Sequence, residues 1–363
     1  MKQEQIDLMF FEGIDEKDIK KANKALALGA NVDFKNSLGM TLLHIATLDN
    51  STDVAEILIR IGADVNAEDN GKQRPLKFAI MNKNIKMAKL LIEKGADLEA
   101  RDEDGNTPLH VACHSDFVEI AKILIKKGVD INTPQYEFGY YPIHVAAQMA
   151  SMGVMKLLIK AKAPVNVKDK ENFTPLHYAV EQETSDMAKL LVKEGAELEV
   201  QDSGGFFPLH SASYHNSTEN VEFLLEQGVD VNALDFENHT ALHITALKNN
   251  VEIAKILIKN GIDIEQKNSE GKTALEIAGA VGAVDVYKLL VGQSLEEGEG
   301  ALILQVNKQD ESFSIHKVEH EEAFIEKVED LTLDGVLDKI IEKGKDSLTK
   351  KEVAFLKRFA KQS

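Results

Sequence analysis

His316-Lys317-Val318-Glu319-His320 carries the residue types that hold a catalytic metal, in the spacing H-x-x-E-H. Such a pattern ligates zinc only when both imidazoles share one helix face and a further carboxylate ligand lies far downstream. Here the segment adjoins a β-like, acidic stretch near the end of the chain, so it reads first as solvated; a metal-dependent hydrolase is kept as the alternative function. Gly271-Lys272-Thr273 matches the end of a phosphate loop, but Gln266 stands where the first glycine of that loop belongs. Ser347-Leu348-Thr349-Lys350 matches S-x-x-K without the accompanying S-D-N or K-T-G, and a helix cap accounts for it. Cys113 is the single cysteine, which excludes an intrachain disulfide and a cysteine-cluster zinc site; in Val111-Ala112-Cys113 it reads as a buried small residue. No cofactor is implied.

Six histidines, His44, His110, His144, His177, His210 and His243, raise the other chemical possibility. They recur once per repeat of one block: Thr107-Pro108-Leu109-His110, Thr174-Pro175-Leu176-His177, Phe207-Pro208-Leu209-His210 and Thr240-Ala241-Leu242-His243. Counted from Thr41 through Arg74, Thr107, Tyr141, Thr174, Phe207, Thr240 and Thr273, the spacing is 33, except for 34 before Tyr141. Residues placed once per copy form a ladder and do not converge on a metal, so each histidine is expected to bond the neighbouring threonine or backbone.

The elements that position them follow from the block. Threonine suits an N-cap, proline at the first helical position forgoes an N–H with no helical partner, and leucine then faces a core. A second amphipathic run follows, such as Val118 to Ile125, and Gly128 after it can take a positive φ as a helix terminator. About twenty residues after each block come Gly-Ala-Asp-Val-Asn (62–66) or its variants at 95–99, 128–132 and 228–232, and then turn-rich stretches such as Asp235 to Thr240.

These D-x-x-G-x-T-P-L-H and G-A-D-V-N signatures, at this period, resemble the ankyrin repeat over about residues 6–292. The resemblance implies an all-α solenoid of about nine helix-turn-helix units with β-hairpin loops and a concave surface of hairpins and first helices. Three copies depart from the pattern and are expected to be less regular: Arg74 and Lys77 in the third, Lys162 and Pro164 in the fifth, and Glu276 in the ninth. The extra residue near Gln135 should disturb the next hairpin.

The domain reading is an N-terminal capping repeat at 1–35, the array at 36–292, an acidic linker at 293–330 and a helical hairpin at 331–363. The linker holds eleven acidic residues against three lysines, and Ala301–Val306 with Phe313–Val318 can pair within it. In the last segment Leu333 to Lys343 is amphipathic and stops at Gly344, and Thr349-Lys350-Lys351-Glu352 is a capping box. This ending resembles the short C-terminal module of some bacterial rhomboid-type proteins, which implies a bacterial source and a docking tag.

Composition narrows the partners. The chain has 42 basic and 60 acidic residues, a net charge of −18, with 44% hydrophobic residues. Such a chain folds, and its excess of carboxylates repels phosphate backbones and anionic lipid. Nucleic acid and a membrane surface are therefore demoted as partners, no run of about 18 apolar residues suggests membrane insertion, and a cytoplasmic location without a secretory leader and a monomeric state are expected. The remaining partner is a protein or peptide, basic or amphipathic because Glu137, Glu171 and Glu237 flank the hairpin aromatics. Those aromatics, Tyr136, Phe138, Tyr140, Phe173, Phe206 and Phe236, with His239 beside them and Tyr214 and His215 ending a first helix, are the candidate partner-binding residues. Two readings stay open for the cluster: rings packed between hairpins, as for Tyr141 and Phe207, or an exposed groove. The function expected is a non-catalytic interaction scaffold, with an effector or inhibitor that blocks a target enzyme as a further alternative.

Overall fold

The structure, a computed structural model, describes residues 1–16, 18–296, 301–306 and 313–318. These form two compact units. Unit 1 comprises Met1–Ala179 and Asp186–Glu197; unit 2 comprises Val180–Ser185 and the described residues from Leu198 onward.

Unit 1 is built from antiparallel helix pairs: α1 (Gln3–Asp15) with α2 (Ile19–Ala27), α3 (Leu42–Leu48) with α4 (Thr52–Arg60), and α5 (Pro75–Met81) with α6 (Ile85–Glu93). Then follow α7 (Pro108–His114) with α8 (Val118–Lys126), α9 (Pro142–Gln148) with α10 (Met152–Lys160), and α11 (Pro175–Val180), which is followed by α12 (Asp186–Lys193). Unit 2 holds α13 (Pro208–Tyr214) with α14 (Thr218–Glu226), α15 (Ala241–Lys248) with α16 (Val251–Lys259), and α17 (Ala274–Val281) with α18 (Val284–Glu296). The strands β1 (Ala301–Val306) and β2 (Phe313–Val318) pair antiparallel, Ala301 opposite Val318, as their alternation suggests. The expected C-terminal helical hairpin at 331–363 lies outside the described residues.

From α6 onward the second helices bury the same triplet, for example Met87, Ala88 and Leu91 in α6, Ile120, Ala121 and Leu124 in α8, and Ile253, Ala254 and Leu257 in α16, all fully enclosed. One helix pair cannot cover such a face alone, so stability comes from stacking on the next pair. Polar ladders fix the stacking register. Asn66 Oδ1 accepts the Asp97 N–H at 2.7 Å while its amide donates to the Gly95 carbonyl at 3.0 Å, and Asn232 repeats both bonds with Asp263 and Gly261 at 2.7 and 3.4 Å.

The histidines do what their periodicity implies. Thr41 and Thr107 donate their N–H to Nδ1 of His44 and His110 at 3.1 and 3.2 Å, and each hydroxyl lies 2.9 Å from the same nitrogen. Nε2–H then donates to a carbonyl of the next hairpin, Gln73 for His44, Tyr140 for His110 and Phe173 for His144, at 3.0 Å each. Burial holds the rings neutral: it pulls His110 and His144 down to about 4. Thr41 and Thr107 thus form reciprocal capping boxes in which His44 and His110 occupy the place usually taken by Glu or Gln. Where Glu276 replaces the histidine the box keeps its usual acidic partner, Thr273 Oγ1 accepting the Glu276 N–H at 3.3 Å and Thr273 N–H donating to Glu276 Oε2 at 2.9 Å.

The expected irregularities fall elsewhere. The third copy keeps full-length helices because Arg74 pairs with Glu68 and Asp97 at 2.9 and 2.6 Å and Lys77 pairs with Asp102 at 2.7 Å. In the fifth copy, Lys162 takes the left-handed conformation of the glycine that it replaces, φ +71°. The extra residue before Tyr141 is absorbed in its hairpin, closed by Gln135 N–H to the Tyr140 carbonyl, five residues on, where Asp102 and Asp169 close theirs at four. The irregular copy is the sixth, whose Thr174-Pro175-Leu176-His177 block is complete. Its helices shrink to six and eight residues. Elsewhere the turn between the two helices carries a left-handed residue nine past the block start, such as Asn50, Asp116, Asn216 or Gly282; Glu183 in the sixth copy is not one of them.

Candidate functional site

In unit 1 the candidate residues gather on the widened hairpin. Asp169 shows how a normal hairpin is held: its Oδ1 accepts the N–H groups of Glu171 and Phe173 at 2.9 Å each. Gln135 replaces that aspartate in the preceding hairpin, which keeps the bond between neighbouring hairpins, Tyr136 N–H donating to the Asp104 carbonyl at 2.9 Å as Lys170 N–H does to the Phe138 carbonyl at 3.0 Å. The Tyr136 ring, 52% exposed, lies under the Arg101 guanidinium at 4.1 Å and over Gly105. A Cβ on Gly105 would approach the ring Cγ to 2.7 Å, so the close seat requires glycine, as does its φ of +87°. Phe138, 47% exposed, stacks on Tyr140 at 5.3 Å between centroids.

Behind these rings the cluster turns inward. Tyr140 meets the edge of Tyr178 at 5.5 Å, and Phe173 lies 5.4 Å from Tyr178 and 5.3 Å from His177. Tyr178 is buried and donates its hydroxyl to Asp169 Oδ2 at 2.7 Å. Burial, followed by the bonds to Tyr140 and Asp169, pushes the phenol far above its ordinary range, and burial also raises Asp169. Sequence reasoning missed Tyr178. Its signal was an aromatic four residues past the block start, where the other copies have Ile45, Val111 or Val145; Phe78, the other aromatic there, also meets its histidine, His44, at 5.9 Å.

Unit 2 repeats part of this plan. Phe236 is 65% exposed, and its ring rests on Gly205 as Tyr136 rests on Gly105. Phe206 is half-buried and stacks on His210 at 5.5 Å; Phe207 stacks on the same imidazole at 5.9 Å. His239 is occupied by the hairpin, Nδ1–H donating to Asp235 Oδ2 and Nε2 accepting the Asn268 amide, both at 3.0 Å. Tyr214, 44% exposed, carries the Lys248 ammonium 3.6 Å above its ring and meets His215 edge-on at 5.1 Å. His215 is exposed and donates Nδ1–H to the Ser211 carbonyl at 3.1 Å.

Of the nine candidates, then, Tyr136, Phe138, Tyr214, His215 and Phe236 face solvent. Tyr140, Phe173, Phe206 and His239 are half-buried parts of the repeat framework, and a uniformly exposed row of rings is not what the hairpins present. Tyr141 and Phe207, expected to pack between hairpins, lie against the histidines of their own blocks at 5.6 and 5.9 Å.

The alternative metal segment is divided. His316 lies on β2, opposite Ile303, so the stretch begins as a strand where the zinc signature needs a helix; Glu319 and His320 lie outside the described residues. Among the described residues no group of three or more histidine, cysteine or carboxylate side chains is placed to hold a metal ion, and no helix is long and apolar enough to cross a membrane. Burial pushes the Cys113 thiol up, out of the reactive range.

Histidine-linked helix pairs joined by aspartate-closed hairpins define a repeat protein whose surface is assembled copy by copy. The family description "Ankyrin repeats (3 copies)" matches residues 14–102, 73–135, 99–169, 143–235 and 209–299, and the chain belongs to the ankyrin-repeat family. These matches stop at 299, so the resemblance of the last segment to a rhomboid-type module has no support from them. No curated protein gives a significant match to the chain.

Proposed function

We propose that this chain is a non-catalytic scaffold that grips a protein or peptide through the hairpin and first-helix surface of its repeats, since ankyrin repeats generally mediate protein–protein interaction and the family is typically non-catalytic. The observation that carries this reading is the seating of Tyr136 and Phe236: large rings placed against glycine yet mostly exposed. A central aromatic anchor contributes about 2 kcal/mol or more to an interface. Glu137 and Glu237 beside them favour a basic or amphipathic segment. The test is capture of partners from a cell lysate by the wild-type chain and by Phe138→Ala with Phe236→Ala, read by mass spectrometry. Both rings are exposed, so the variant should fold normally and lose the captured proteins; an unchanged set contradicts the proposal.

A further inference from the structure

The complete block of the sixth copy predicts a regular turn between α11 and α12, and unit 2 instead contains an irregular segment, Val180–Ser185. The segment is tied down by side chains of α14 and its cap. Ser217 Oγ donates to the Gln182 carbonyl, and the buried Asn220 amide donates to the carbonyls of Gln182 and Thr184 at 2.9 and 3.3 Å. Ser185 donates its N–H to Glu219 Oε1 at 3.2 Å and its hydroxyl to the same oxygen. Beside these bonds opens a cavity of about 410 Å³. Its charged and titratable lining is Glu181 and Glu183 from the segment, His215 from the end of α13, and Glu219 and Glu222 from α14.

Glu181 is the unusual member. Its side chain is only 20% exposed, and its nearest ionisable partner of opposite type, His215 Nδ1, is 3.8 Å away and already donates to Ser211. A carboxylate there faces three other carboxyl groups across the cavity with no full hydrogen bond from the imidazole. We propose that Val180–Ser185 is a proton-sensitive joint, closed while Glu181 is neutral and opening into solvent when Glu181 becomes charged. The cavity provides the room for that movement, and the missing left-handed residue leaves the segment without the tight turn that fixes the other copies.

The direction follows from burial. Burial pushes the Glu181 carboxyl from its ordinary 4.5 up to about 7. The closed joint therefore holds a proton that the open one releases across that interval, and opening becomes easier as pH rises from 4.5 to about 7, then levels off. His215 does not cancel the charge. Burial lowers it, more than the bond to the Ser211 carbonyl raises it, and the Lys248 ammonium on α15 adds to the fall, which disfavours the charged ring beside Glu181.

Amide hydrogen exchange of the full chain between pH 5 and 8, corrected for the intrinsic rate, tests the joint. Protection at residues 181–186 should fall on the order of a hundredfold between pH 5 and 7 and then stay level, while the matching turn at 114–117 stays constant. Glu181→Gln should keep the segment protected throughout. Equal protection at all pH values, or a pH dependence that survives in Glu181→Gln, overturns the proposal. Should the variant fail to fold, the wild-type Glu181 carboxyl can be titrated by carbon-13 chemical shift, where a midpoint near neutrality supports the joint and one near 4.5 overturns it.

Discussion

The tip of a hairpin and its inner end treat an aromatic residue in opposite ways. Immediately after the hairpin's first residue, Tyr136 and Phe236 lie across the glycine of the preceding hairpin and remain 52% and 65% exposed. Immediately before the helix block, Tyr140, Phe173 and Phe206 turn inward and approach His144, His177 and His210 at 6.4, 5.3 and 5.5 Å. The residue type is the same, and the neighbouring copy's glycine or the copy's own histidine decides its fate. Aromatic content alone therefore overstates the surface open to a partner, and the rings at the tips are those that can contact one without repacking the repeat.

Acid should break this symmetry most strongly, because it attacks the histidine platform and leaves the glycine seats alone. His110 and His144 are held at about 4, below their ordinary 6.5, by burial. A lowered folded value gives stability that is present above pH 6.5 and lost as pH falls toward 4, on the order of 3 kcal/mol for each ring. Urea unfolding at pH 7 and pH 5 should show the loss, and His110→Gln should flatten it; an unaltered slope removes the platform's role. Gly105→Ala comes next. It forces a Cβ to 2.7 Å from the Tyr136 ring at a φ of +87°, and should cost about 2 kcal/mol in the same assay. Phe206→Ala should cost about 2 kcal/mol or less, whereas Phe236→Ala should stay within about 0.5 kcal/mol of wild type. Equal costs for the two would contradict the division between tip and inner end. Tyr178→Phe is the mildest, about 1 kcal/mol, since it leaves Asp169 Oδ2 without its buried donor but keeps the ring.

Much of this was legible in the sequence where one residue determines its own surroundings. Where a block carries both, threonine and histidine bond within three residues, and the 34-residue spacing before Tyr141 marked the hairpin that absorbs the extra residue, though not that it would do so without disruption. The sequence is silent where a neighbour decides. Tyr178 belongs to the aromatic cluster through its own hairpin's Phe173 and through Tyr140 of the hairpin before, and the second of these contacts is set by the neighbouring copy. The third copy looked degenerate yet stays regular through ion pairs to Asp97 and Asp102, while the sixth looked regular yet loses a turn around Glu183. The exposure of Phe236 depends on Gly205, thirty-one residues earlier.

The scaffold reading rests most directly on which rings a partner covers. Hydroxyl-radical footprinting of the chain alone and with a captured partner should show protection of Tyr136, Phe138 or Phe236 on binding, with little change at the half-buried Phe173 and Phe206. A complex that leaves all three exposed rings as reactive as in the free chain would contradict it.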